Sequence, residues 1–290
     1  MNKSNLGLID ICVNLFNGQF RHDIESVLER AAEADVVGAV LTASDLDTSK
    51  RGIEFCSHQS KDHRSRPACL TTAGIHPHDA SLQGDDALPA AWQTELEGLI
   101  KNDEVCAVGE TGLDFYRNFV PRQDQIEVFE AQIEMSVNSG KPMFVHDRES
   151  DGTVLEMLSR QKNLPATVIH CFTGSQQELE AYIDADFYIG ITGWITDPIR
   201  GLELYELVKL IPQERLLIET DAPFLKPKNT PPQLHTQWGL GSKFKQRCEP
   251  AHLGYVAQTV ADARDQEVDH VIAQTTRNAS RLFGFNLSLD

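Results

Sequence analysis

Short apolar runs alternate with stretches of helical period along the whole chain. Eight of the runs have the length and composition of strands: 6–15, 36–43, 68–75, 105–109, 142–146, 166–171, 187–194 and 216–220. Most are close to continuously apolar, the pattern of a parallel strand buried on both faces. Between them, stretches such as 23–34, 123–139 and 176–184 repeat apolar residues at helical spacing, which predicts helices with one buried face. Eight strands with helices between them predict a (β/α)8 TIM barrel. The competing arrangement, an open doubly wound sheet, calls for a glycine-rich phosphate loop after the first strand, and none is present. No repeat, low-complexity tract or linker divides the sequence, so one domain over residues 1–290 is expected.

In a barrel of this kind the reacting groups come from the C-terminal ends of several strands. The first run carries Asp10, Cys12 and Asn14 at a spacing of two, hence on one face. The third closes on His76 and His78, which share a face if the strand continues. The fourth, ending at Gly109, delivers Glu110, flanked by small residues and followed by Asp114. Charge at the mouth of a core is costly unless it is paired or bound to a cation, so Glu110 sits where a metal ligand would sit. The fifth run gives His146 with Asp147 and Arg148, the sixth His170, the seventh Trp194, and the eighth Glu219-Thr220-Asp221 before Ala222-Pro223. Singly, each has a plain structural explanation, since a histidine closing a strand usually caps it and an Asp before Ala-Pro usually forms a turn. Recurrence changes this: Glu110, His146, His170 and Asp221 all follow apolar strands and converge on one pole. Imidazole and carboxylate together suit a divalent cation with open positions.

Composition narrows the setting. A net charge of -17 argues against broad electrostatic binding of nucleic acid and predicts modest, salt-sensitive affinity for any phosphate substrate. One segment is different: 222–248 holds no acid but carries Lys226, Lys228, Lys243, Lys245 and Arg247, with Trp238 and Phe244 among them. It follows Asp221 directly, which favours a substrate role over a merely solvated loop. After Glu110, residues 115–119 (Phe115, Tyr116, Arg117, Asn118, Phe119) form an aromatic and basic loop suited to stacking on bases and touching phosphate. No run approaches the length of a membrane span, no leader is evident, and six cysteines lie scattered without a Cys-x-x-Cys pair, so reduced thiols and a cytoplasmic location are expected.

The motifs together are specific. G-I-H-P-H at 74–78, G-E-T-G-L-D-F at 109–115, H-D-R at 146–148, I-H-C-F-T-G at 169–174, E-T-D-A-P at 219–223, E-P-A-H-L at 249–253 and N-A-S-R-L-F at 278–283 resemble, in order, those of the TatD family of metal-dependent deoxyribonucleases within the amidohydrolase-like barrels. The resemblance implies that Glu110, His146, His170 and Asp221 bind metal, Mg2+ by family habit although two imidazoles also suit Mn2+ or Zn2+. It further implies that His76, His78 and Arg148 lie near the substrate phosphates; from the ligands follows the expectation that Glu110 and Asp221 are catalytic, with Asp221 accepting a proton from water, and Arg117 and Asn14 are further candidates for contact with phosphate. The expected activity is 3′ to 5′ exonuclease action on single-stranded DNA, with RNA as a further substrate and a part in repair or turnover, by a monomer. Ester hydrolysis, as in D-aminoacyl-tRNA deacylases, and a non-catalytic binding protein are the alternatives. One departure stands out: many family members begin Asp-x-His-x-His, whereas here the segment reads Asp10-Ile11-Cys12-Val13-Asn14, close to the form of a subgroup near TatD itself. Both first-strand histidines are replaced, which puts occupancy by two metals in doubt.

Overall fold

The computed structural model describes residues 7–59, 65–241 and 244–286. Leu6, at the start of the first predicted run, and Lys243, in the acid-free segment, lie outside them. Eight parallel strands follow one another around a single sheet in sequence order: β1 (Leu8–Val13), β2 (Val36–Leu41), β3 (Ala68–Ala73), β4 (Val105–Asp114), β5 (Met143–Arg148), β6 (Thr167–Ile169), β7 (Tyr188–Ile191) and β8 (Leu216–Ile218). The helices are α1 (Ile24–Glu33), α2 (Leu46–Ser57), α3 (Trp92–Ile100), α4 (Arg122–Ser139), α5 (Thr153–Ser159), α6 (Gln176–Asp184), α7 (Leu202–Leu207), α8 (Leu234–Gln237), α9 (Leu253–Arg264) and α10 (Val268–Phe283). This is the expected (β/α)8 barrel, with the largest apolar cluster filling the space between the helices and β4 to β8.

Strand positions agree with the apolar runs, with instructive differences at their ends. β4 does not stop at Gly109 but continues to Asp114, so Glu110 projects from within a strand. The pairing of β4 with β5 shifts register between Val108 and Thr111, and the backbone passes through Gly109 at φ 150° and Gly112 at φ 135°. Both positions require glycine: a Cβ at Gly112 would lie 1.9 Å from the His146 carbonyl oxygen. In the sequence these glycines look like a turn, whereas in the fold they are a bulge that lets the strand run on. β3, by contrast, ends at Ala73, and His76 and His78 stand at and in a 3-10 turn, Pro77–Asp79, rather than on a strand face.

Two buried glutamines on α4 hold these turns in place. Gln132 Oε1 accepts from the Ile75 amide at 2.8 Å and its Nε2 donates back to the Ile75 carbonyl at 3.0 Å, while Gln125 Oε1 accepts from the Asp114 amide at 2.9 Å. Helix ends are signalled locally, by reciprocal caps Asp45/Thr48 on α2 and Ser175/Glu178 on α6.

The barrel closes between β8 and β1 largely through side chains. Only one isolated parallel bridge, Val13 to Ala222, joins the two edges among the described residues. Asp10 supplies the rest: Oδ1 accepts from the Thr220 amide at 2.9 Å and the Cys12 amide at 3.2 Å, and Oδ2 from the Thr220 hydroxyl at 2.6 Å. Burial pushes the Asp10 carboxyl up to about 8 despite these donors. Below it, Asn278 Nδ2 on α10 donates to the carbonyls of Gln213 and Leu216, anchoring the last helix to the start of β8.

Beside this seam a buried ionic network ties α1 to the end of the acid-free segment. Arg30 meets both oxygens of Glu249, at 2.7 and 3.1 Å, and Arg247 bridges Glu249 at 2.6 Å and Asp23 at 2.7 Å. Glu249 is fully buried and Arg247 nearly so. Removing one partner of such a network strands the others, so Glu249→Ala is expected to destabilise the protein by about 3–5 kcal/mol. Urea unfolding checks this: the midpoint falls with an unchanged m-value.

Candidate active site

The residues at the C-terminal mouth converge on one oxygen. Glu110 Oε1 lies 2.8 Å from His170 Nε2, 3.1 Å from His146 Nδ1 and 3.2 Å from His76 Nε2. Glu110 is 6% exposed and His170 3%, so the charge is stabilised by these partners and not by water. Burial raises the Glu110 carboxyl, but His170, His76 and His146 outweigh it and hold the group well below the usual carboxylate range. Conversely, burial lowers His170, yet Glu110 and Glu219 outweigh it and hold the imidazole well above its ordinary value. His76 goes the other way, pulled down to about 4 mainly by burial.

A second layer steadies these rings. Asp114 Oδ2 accepts from His78 Nε2 at 2.8 Å, and its Oδ1 accepts from the Arg117 amide at 2.7 Å. His146 Nε2 is 3.4 Å from the same Oδ2 but makes no aligned hydrogen bond. Glu219, fully buried at the end of β8, accepts from the Cys171 amide through Oε1 and places Oε2 3.6 Å from His170 Nδ1. Gly190 makes room for it, since a Cβ there would meet Glu219 Oε1 at 2.6 Å. Neither Asp114 nor Glu219 was singled out as a site residue from the sequence, although both stand inside motifs quoted for other residues.

Asp221 faces the same mouth from a left-handed backbone position, φ 53°. Its Oδ1 accepts from Asn14 Nδ2 at 2.9 Å and lies 3.6 Å from Cys12 Sγ. Asn14 is therefore held against Asp221 by its amide nitrogen. Burial raises the Asp221 carboxyl to about 7, with His170 opposing and Glu110 and Glu219 adding to the rise. Cys12 is wholly buried among Ile9, Ile11 and Val40, and burial with the neighbouring carboxylates pushes its thiol well up, so it is a neutral core side chain. Arg148 lies with its guanidinium 4.5 Å from the Tyr116 ring centre, and Arg117 6.0 Å from that of Phe119. Phe115 packs on the core, whereas Tyr116 and Phe119 are exposed.

The donor chemistry fits a divalent cation. His76, Glu110 and His146 present ligand atoms within 4.8 Å of one another, as do Cys12, His170 and Glu219. Three buried atoms in this mouth, His146 Nε2, His170 Nδ1 and Glu219 Oε2, have no hydrogen-bond partner. They are nonetheless ion-paired at longer range, His170 Nδ1 with Glu219 Oε2 at 3.6 Å and His146 Nε2 with Asp114 Oδ2 at 3.4 Å.

Comparison with known proteins decides the family. The TatD-related DNase family model matches residues 9–284. The chain belongs to that family. Curated TatD relatives named 3′-5′ ssDNA/RNA exonuclease are similar to it over nearly their whole length: that of Klebsiella pneumoniae strain 342 is 38% identical over 282 residues, covering 97% of this chain and 99% of the relative. The protein of the same name from Citrobacter rodentium is 40% identical over 281 residues, covering 97% and 99%. Among solved structures, a TatD family hydrolase from Entamoeba histolytica aligns at a TM-score of 0.81 with 25% identity, covering 96% of this chain and 98% of that one.

Because His146 and His170 are held above their ordinary values and Asp221 is raised to about 7, protons would compete with any metal held by these groups. Raising the pH removes the competitors, so affinity should rise from pH 6 to pH 8. Calorimetric titration of the metal-free protein with Mn2+ checks this, with heats that vary with the buffer's ionisation enthalpy as protons are released; affinity independent of pH would contradict it.

Proposed function

We propose that the chain is a metal-dependent 3′ to 5′ exonuclease acting on single-stranded DNA and RNA. The observation that carries the reading is the convergence of His76, His146 and His170 on Glu110 beside Asp221. Its support outside the site is the near full-length similarity to relatives named for that activity. Glu110, His146, His170 and Asp221 would hold the ion, and the phosphate chemistry of the substrate favours Mg2+ over Mn2+ or Zn2+. When bound, it supplies Lewis-acid polarisation of a phosphoryl oxygen and acidifies water.

The side chains do the rest. Asn14 and Cys12 engage Oδ1 of Asp221, so Oδ2 is the oxygen that takes the proton of the attacking water. His76 and His78, whose ring centres are 4.4 Å apart, would engage the scissile phosphate together with Arg117 and Arg148. The exposed rings of Tyr116 and Phe119 give bases of a single strand faces on which to stack without reading sequence. A monomer is the proposed working unit. Six unpaired thiols, five of them buried, support a reducing, cytoplasmic setting, with repair or turnover of nucleic acid as the role. No helix among the described residues is long and apolar enough to cross a membrane.

The test follows mononucleotide release from a labelled single-stranded DNA with Mg2+. EDTA and Glu110→Gln each abolish release, and Asp221→Asn lowers kcat by about 10²–10⁴ while the substrate still binds. A folded wild-type protein that releases nothing with Mg2+, Mn2+ or Zn2+ sinks the nuclease reading, and deacylation of a charged tRNA by the same sample would replace it.

A further inference from the structure

The chemistry proposed above leaves the acid-free segment after Asp221 without a part. That segment walls a cleft of about 200 Å³ at the ends of β7 and β8: residues 193–200 form one wall, 225–228 the other, and Gln246 enters where the segment returns. The walls meet closely at their base, since a Cβ on Gly193 would lie 2.1 Å from the Leu225 carbonyl oxygen, and the Lys228 amide donates to the Thr196 hydroxyl at 2.7 Å. The Phe224 amide donates back to the Asp221 carbonyl at 2.9 Å, so a single turn joins the mouth to the cleft. Arg200, Lys226 and Lys228 line it, with Asp197 as the only carboxylate among the lining residues. That carboxylate is used up: Oδ1 accepts from the Ile199 and Arg200 amides at 3.1 and 3.0 Å, and Oδ2 from Arg200 Nε and Nη2 at 3.1 and 3.0 Å. Lys226 spends one of its three donors on the Lys245 carbonyl at 2.9 Å, and Lys228 is exposed with no partner for Nζ among the described residues. In a chain of net charge -17 this is a local reversal of sign.

Resting on the exonuclease reading above, we propose that this cleft carries the retained strand, with Lys226 and Lys228 holding phosphates on the 5′ side of the bond that is cut. A single strand leaving the mouth brings one negative charge per nucleotide and needs an outlet of opposite sign. The neighbouring cleft between β5, β6 and α6 is lined by Asp147, Glu149 and Glu178, which repel such a strand, whereas the cleft after β7 and β8 offers cations and no free carboxylate. Lysine ammoniums meet phosphate as point charges on flexible stems and read no sequence, so they can re-engage the backbone each time it advances by one nucleotide. The exposed ring of Phe224, on the turn between Asp221 and the cleft, gives a base on that path a face to stack on. Arg200, with its guanidinium 4.4 Å from the Trp194 ring centre and paired with Asp197, frames the cleft and fixes its wall.

The experiment sets the dinucleoside monophosphate d(TpT), whose one phosphate is the scissile one, beside an oligothymidylate of about twelve nucleotides, long enough to enter the cleft. Wild type should favour the longer strand. Lys226→Gln and Lys228→Gln should each lower kcat/KM on the longer strand about threefold relative to d(TpT), through KM and not kcat, and Lys228→Arg should retain the wild-type ratio. Anisotropy of a fluorescent oligothymidylate in EDTA reads the contact without turnover: the slope of log Kd against log salt should fall by about 0.7 for each lysine replaced by glutamine. Wild type that cuts both substrates equally well overturns the strand path and leaves the nuclease reading standing, as do glutamine variants whose ratio and salt slope match wild type or which slow both substrates alike. Wild type that cuts neither substrate overturns the nuclease reading and the strand path with it.

Discussion

One carboxylate oxygen shared by three imidazoles sets the terms for this barrel. Glu110 is almost without water, and a buried carboxylate is expensive unless cations or donors surround it. His76, His146 and His170 come from the ends of β3, β5 and β6, so satisfying that one oxygen requires three strand ends to stand in register with β4. The bulge through Gly109 and Gly112 makes this possible. It lets β4 keep its pairing with β5 beyond the point where Glu110 turns into the mouth, and it brings Asp114 up as acceptor for His78. Glu110, Asp114 and His146 are thus part of the sheet itself, while His76, His170 and Glu219 follow within a few residues of its strand ends.

The second constraint is the seam opposite. A barrel with a single backbone bridge between its first and last strands needs another means of closure, and Asp10 provides it by accepting three hydrogen bonds across the gap or at its edge. The same seam carries Asp221, Asn14 and Cys12, so closure and the acidic side of the active site are one structure. Behind it, the network of Arg30, Arg247, Glu249 and Asp23 fixes where the acid-free segment returns, and the Cys248 amide donates to the Pro223 carbonyl just beyond Asp221. A segment rich in lysines therefore leaves and re-enters at the catalytic mouth, although its middle is exposed.

How far the sequence revealed this depended on what each signal encodes. Buried parallel strands announce themselves as apolar runs, and all eight were legible for that reason. Glu110, His146 and His170 stand out only together, because ionisable groups recur after such runs, although each alone has a plain structural explanation. Asp114 and Glu219 give no separate signal in the sequence, because each stands beside a residue that accounts for its motif, and only distances show which rings they touch. Gly109 and Gly112 carry the same letter in a turn and in a bulge, so the extension of β4 could not be read in advance. Gln125 and Gln132 look solvent-facing on a helix, and nothing local says that their amides are consumed by the backbone of Asp114 and Ile75. Tyr182 and Asp147 meet across 35 residues, a pairing that no spacing rule contains.

The replacement of both first-strand histidines takes on physical meaning in this setting. Cys12 brings a neutral thiol into a layer already holding Glu219, Asp221 and Glu110, where a thiolate would add charge that burial opposes. Asn14 brings a neutral donor to Asp221 Oδ1. A hydrogen bond from a neutral amide stabilises a carboxylate less than a nearby cation does, so burial prevails and Asp221 retains a high proton affinity. Glu110, encircled by imidazoles, is driven the opposite way. In the metal-free mouth two carboxylates are thereby pushed apart, Glu110 downward by its imidazoles and Asp221 upward by burial, and the neutrality of positions 12 and 14 contributes to that separation.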